Sequence, residues 1–128
     1  MITEDFVSFE TAKLLKEKGF DDSFVPVNYG FNVYEPIHGR LIHNNPSGSI
    51  KAPTIQMAMK WLREVHKLVI EPYRTACGYL YTISSVPYGS NKYDNSQAFN
   101  GDDENSGQWT TWEKACEDGI KYCLENLI

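Results

Sequence analysis

The run from Pro53 to Ile70 (Pro-Thr-Ile-Gln-Met-Ala-Met-Lys-Trp-Leu-Arg-Glu-Val-His-Lys-Leu-Val-Ile) constrains this chain more than any other stretch. Ala58, Trp61, Leu62 and Val65 fall at i, i+3, i+4 and i+7, while Gln56, Lys60, Arg63, Glu64 and Lys67 take the opposite side. That spacing predicts an amphipathic helix, and the apolar run Leu68-Val69-Ile70 that follows it reads as a short strand. An α-then-β unit therefore stands at the centre of the chain and marks where the core lies. It supplies no chemistry.

A second helix is readable near the start. Ser8 is a good N-cap, Glu10 sits in the first turn, and Phe9, Ala12 and Leu15 make its apolar stripe. Gly19 suits the left-handed position after the helix, with Phe20 folding back on Leu15. The third helix carries Trp112, Ala115, Cys116, Gly119, Ile120, Cys123 and Leu127 on one face. Either Thr110, at capping-box spacing from Glu113, or Thr111 serves as its cap. The three helices are expected at about 8–18, 54–67 and 111–126.

Between them the alternation is that of strands: Phe24-Val25-Pro26-Val27, Phe31-Asn32-Val33-Tyr34 and Arg40-Leu41-Ile42-His43, followed by a loop over 44–49. Pro26 restricts its strand to an edge or a beginning. Pro72 is expected to break the run after Ile70, and Gly78 to Ser84 to resume it as an antiparallel partner. Residues 87–109 show no period and are rich in Gly, Asn, Ser and Asp, so a long irregular loop is expected there. The resulting fold class is α+β, a single domain over 1–128. Its three helices lie on one face of a small, mostly antiparallel sheet.

With 128 residues, 41% hydrophobic and 23% charged, the chain can bury a core without staples and is not of disordered composition. No apolar run is long enough for a membrane span. The acidic start, Met1 to Asp5, has no signal-peptide character, and three cysteines make no disulfide framework. A soluble cytoplasmic protein with reduced thiols is the expectation. Net charge is −5, unevenly spread: residues 94–128 hold two lysines against eight acidic residues. Such a tail end attracts basic partners or is simply a solvated surface.

Few motifs carry chemistry. Asp102, Glu104, Ser106, Gly107 and Glu113 occupy positions 1, 3, 5, 6 and 12 of a calcium loop, with Trp109 at the apolar position 8. No entering helix precedes them, so an acidic linker before a capped helix is the simpler reading, and no metal or other cofactor is expected. His38 and His43 flank a predicted turn without a third ligand. His66 closes the central helix, where a positive charge suits the dipole. Cys116 and Cys123 share an apolar face and read as small core residues. Neither a nucleophile elbow, nor a P-loop, nor a zinc-protease helix is present. Tyr79, Tyr81, Tyr88 and Tyr93 could form a stacking or protein-binding surface, although aromatic rings are also the main payload of a small core. Overall acidity argues against nucleic acid as a ligand.

Three blocks of wording resemble one known group. They are Val7 to Asp21, Ala52-Pro53-Thr54 with Met57 to His66, and Tyr122 to Ile128. They are similar to short uncharacterised proteins common in gut-bacterial genomes and their phages or mobile elements, a group with no assigned function. The blocks cover about a quarter of the chain and coincide with the helices; residues 87–109 depart from the shorter members. The resemblance implies a phage or mobile-element accessory protein in a bacterial cytoplasm.

The leading expectation is a non-enzymatic accessory module that binds a protein partner. A second is an acidic nucleic-acid mimic that inhibits a host DNA-binding protein, which requires clustered carboxylates on one face. A third is a small enzyme assembled from distant residues, which requires His38, His43 or His66 in a pocket beside a carboxylate.

Overall fold

The computed structural model describes residues 1–25, 30–44, 46–97 and 100–128. The chain is an α+β fold in which α1 (Phe9–Glu17), α2 (Ile55–Val65) and α3 (Trp112–Tyr122) accompany six strands among the described residues. Each helix begins on a hydroxyl that accepts an N–H three residues on: Ser8 from Thr11, Thr54 from Met57, Thr111 from Lys114. These bonds satisfy main-chain donors that the first turn of a helix leaves free. Thr111 is thus the cap of α3, and Thr110 is bonded elsewhere. After α1, the Phe20 N–H reaches Leu15 O at 3.0 Å and the Gly19 N–H reaches Lys16 O at 3.2 Å. Gly19 stands at φ 98° and Phe20 is buried, so the Schellman stop forms as its residues predict.

The strands divide between two antiparallel sheets rather than forming one. The first has β1 (Asn32–Tyr34) between β2 (Leu41–Ile42) and β3 (Ile50–Ala52). The second has β5 (Tyr79–Ser85) between β4 (Leu68–Arg74) and β6 (Asn91–Asp94). Side chains from all three helices and both sheets meet in one apolar cluster, with Leu15, Leu62, Tyr81, Ile83 and Ile120 fully enclosed. Gly119 lets α3 close on the second sheet, since a Cβ there would stand 2.7 Å from Ile70 Cγ2.

Several sequence expectations are corrected. Asp22–Phe24 is a 3-10 turn capped by the Asp21 carboxylate, not the start of a strand; Pro26 and Val27 lie outside the described residues. Pro72 does not end the run after Ile70. It stays within β4 opposite Tyr81, because β4 is an edge strand and a missing N–H costs nothing on the solvent side. Val65 is 46% exposed, whereas Ile55 and Met59 are buried. The stripe of α2 is therefore Ile55, Ala58, Met59 and Leu62, with Trp61 beside it, and Val65 projects past its end. The helix stops at His66, whose N–H bonds Leu62 O, and at Lys67, a non-glycine residue in the left-handed region at φ 60°.

The stretch 87–109, expected to be irregular, contains β6 and a 3-10 turn at Asn95–Gln97. Beyond them the chain returns to the sheet, exchanging two main-chain bonds between Tyr79 and Trp109 at 2.8 and 3.0 Å. Gly101 and Gly107 pinch the intervening turn through a 2.9 Å bond from the Gly101 N–H to Gly107 O. A Cβ on Gly101 would lie 2.1 Å from the Gln108 main chain, so only glycine fits. Ala98 and Phe99 lie outside the described residues.

Candidate functional site

The N-terminal segment does not trail away from the fold. Val7 N–H bonds Pro53 O at 3.0 Å and Ile55 N–H bonds Asp5 O at 2.9 Å, which lays residues 5–7 along the entry to α2. Ser8 N–H then bonds Glu117 Oε1 of α3 at 2.8 Å, and the Thr11 hydroxyl donates to the same oxygen at 2.7 Å. Two segments more than a hundred residues apart in sequence are thereby joined along a groove of about 600 Å³. Glu4, Asp5, Glu113 and Glu117 line it, with Tyr34 and Ile55 among its apolar surfaces.

The groove is acidic in effect as well as in composition. Lys114 is its one cation among the described residues, but its ammonium lies 2.6 Å from Asp102 Oδ2 and is paired with that carboxylate. Glu117 Oε2 is shielded from solvent and has no donor among the described residues. A lining of this kind accepts cationic donors and disfavours anions.

The calcium-loop residues are not brought around a common point. Asp102 accepts from Thr110 N–H at 2.8 Å, from the Thr110 hydroxyl at 2.9 Å and from Lys114. The Lys114 ammonium, with the Thr110 donors, holds the Asp102 carboxyl down at about 2. Ser106 donates its hydroxyl to Asp103 at 2.7 Å, Glu104 is exposed, and Glu113 lies in the groove. Among the described residues no three His, Cys, Asp or Glu side chains gather as a metal set. The same short spacing that mimics an ion loop instead builds a lysine-neutralised turn before α3.

The four tyrosines do not share a surface. Tyr81 is fully buried and donates its hydroxyl to Asp118 Oδ2 at 2.6 Å; burial, with the Asp118 carboxylate beside it, pushes the hydroxyl pKa up. Tyr93 lies 5.9 Å from the Tyr81 ring and stacks on Tyr122 at 3.7 Å, a pairing with α3 that the sequence does not suggest. Tyr79 is half-buried with the Arg74 guanidinium 5.1 Å from its ring. Tyr88 stands alone, 91% exposed, in the turn between β5 and β6. Tyr81 and Tyr93 are thus packing residues at the junction of α3 and the second sheet.

The histidines are dispersed. His38 Nδ1 lies 3.4 Å from Glu35 Oε1 in a surface turn, where Glu35 also accepts the Ile37 and His38 N–H groups. His43 is exposed. His66 packs edge-on against Trp61 at 4.7 Å, and burial lowers its pKa. It is therefore neutral at pH 7, so it caps α2 through its main chain and not through charge. None of the three lines the acidic groove. Burial pushes the thiols of Cys116 and Cys123 up to about 12, leaving them unreactive; the Glu113 charge adds to the effect at Cys116.

Sequence reading misses Glu4, Asp5 and Glu117. One signal points to the last: Glu113 and Glu117 are like charges at i and i+4, which weaken an isolated helix and so invite a reason from elsewhere in the fold. Among the described residues no helix is long and apolar enough to cross a membrane. A scan against protein-family models and searches of curated proteins and of solved structures each return no match to this chain.

Proposed function

We propose that this chain is a non-enzymatic accessory module that binds a protein partner by taking a lysine- or arginine-rich segment of it into the acidic groove. The observation that carries the reading is the uncompensated charge there: Glu4, Asp5, Glu113 and Glu117 surround a cavity whose one lysine is already bound to Asp102. Tyr34 and Ile55 offer apolar contact beside the carboxylates, the mixture that a protein segment requires. The resemblance of the three helical blocks to phage and mobile-element proteins supports a role as an accessory protein in a bacterial cytoplasm, as do the free Cys77, Cys116 and Cys123. Mimicry of a nucleic acid is less favoured. It needs a row of free carboxylates, whereas Asp94, Asp102, Asp103 and Asp118 each accept hydrogen bonds within the chain.

The test is calorimetric titration of a lysine- and arginine-rich peptide into the protein at low and high salt. Binding should weaken as salt rises and disappear in the Glu4→Lys/Asp5→Lys/Glu113→Lys variant. Absence of binding at low salt, or equal binding by the variant, would remove the groove from consideration.

A further inference from the structure

A second cleft shares no residue with the acidic groove. It has a volume of about 370 Å³ and lies along α2, between Met57, Trp61 and Val65 on one side and Phe20 and Phe24 on the other. Its wall is a cluster of aromatic rings: Trp61 meets Phe20 edge-on at 5.4 Å and Phe24 at 6.2 Å. At its mouth Phe24 and Val65 are 48% and 46% exposed. Exposed apolar side chains around an aromatic pocket are the ingredients of an interface centre.

The charges beside the cleft choose the occupant. Lys60 and Glu64 also line it, one helical turn apart, and neither side chain has an ion-pair partner among the described residues. A cation and an anion one turn apart on one helix become self-complementary when a two-fold axis passes between them. We propose that this cleft is the contact between two copies of the chain, packed antiparallel along α2 about an axis near Trp61. With the axis at Trp61, Lys60 of each copy comes within side-chain reach of Glu64 of the other, twice. Val65 comes opposite Met57 of the second copy, where it enters the cleft beside Phe24. The local balance of charge matters because the net charge of −5 opposes association of two copies as a whole.

Sedimentation equilibrium on the intact chain, from micromolar to millimolar, tests the pairing. A concentration-dependent monomer–dimer equilibrium is expected, and Val65→Asp should weaken it roughly tenfold or more by placing a carboxylate in an apolar pocket. Lys60→Glu should also weaken it, since a carboxylate of one copy would then face the Glu64 carboxylate of the other. The double variant Lys60→Glu/Glu64→Lys should restore it. That rescue is what a merely structural role of either residue would not produce. A monomer throughout the range would overturn the proposal. So would a dimer indifferent to Val65→Asp, or a double variant no better than Lys60→Glu.

Discussion

Asn95 performs a task that main chain ordinarily performs, and its replacement offers a sharp test of the second sheet. β6 pairs with β5 as far as Asp94 opposite Thr82, and there the chain turns away into a 3-10 turn. The next N–H of β5, that of Tyr81, would be left facing nothing. The Asn95 side-chain carbonyl accepts it at 2.8 Å, in a position where Asn95 itself is 1% exposed and Tyr81 is fully enclosed. Asn95→Ala removes the acceptor and leaves a buried donor unsatisfied, a cost of about 1–3 kcal/mol. Loss of the amide nitrogen adds little, because Asn95 Nδ2 has no partner among the described residues. With a urea dependence of about 1–3 kcal/mol per molar for a small domain, the midpoint should fall by about 1 M. The Tyr81 amide should also exchange faster with solvent. Asn95→Asp separates the acceptor from the charge: it keeps the oxygen but buries a carboxylate, so its deficit relative to wild type should grow as pH rises and the group ionises. An Asn95→Ala protein with an unchanged midpoint and unchanged Tyr81 exchange would refute the account of how β5 is completed.

Other perturbations follow from the packing and charge. Trp61→Ala should cost about 3–5 kcal/mol in urea unfolding, the usual range for a buried aromatic ring, whereas Val65→Ala at its exposed site should stay within about 0.5 kcal/mol. His66 has a folded pKa below its unfolded value, so the unfolded state binds the proton first. Its contribution is complete above the ordinary histidine value of about 6.5 and is lost as pH falls toward the folded pKa. Stability measured across that window should decline in wild type and decline less in His66→Gln. Calcium should leave the melting temperature unchanged against chelator, because Lys114 already neutralises Asp102 and Ser106 is turned to Asp103. A rise of several degrees, abolished by Glu113→Gln, would contradict that.

The three helices are legible because each announces itself locally. A hydroxyl cap, an apolar stripe and, for α1, a glycine stop all lie within one short stretch, so no distant information is needed to place them. β3 and β6 are not legible, for the opposite reason. Three or four residues of mixed character, such as Asn91-Lys92-Tyr93-Asp94, have no period to read and become strands because β1 and β5 offer them an edge. Pro72 misleads in the same way: whether a missing N–H matters depends on which side of a strand is paired, and that is a property of the sheet.

The candidate groove is hidden more deeply, and the acidic C-terminal third shows why. Sequence reports its eight carboxylates as a single charge, whereas the fold sorts them by what each one accepts. Asp94 takes the Ser96 N–H, Asp103 takes Asn105 and Ser106, Asp102 takes Thr110 and Lys114, and Asp118 takes Tyr81. Glu117 spends one oxygen on Ser8 and Thr11 and thereby brings the N-terminal carboxylates of Glu4 and Asp5 alongside Glu113. A carboxylate already supplied with donors has little left to offer a partner, so on the proposed reading the recognising charge is the remainder after these internal bonds are made. Of what remains, Glu113 lies with Glu4 and Asp5 in the groove where Glu117 links α3 to the start of α1, whereas Glu104 is exposed in the preceding turn and Glu125 lies in a separate depression beside Glu10 and Glu17. Glu117→Ala should therefore weaken capture of a basic peptide even though Glu4, Asp5 and Glu113 are untouched. Glu117→Gln, which keeps an acceptor for Ser8 and Thr11, should retain more of it. Equal losses in the two variants would mean that the Glu117 charge, and not its hold on the N-terminal segment, is what the groove uses.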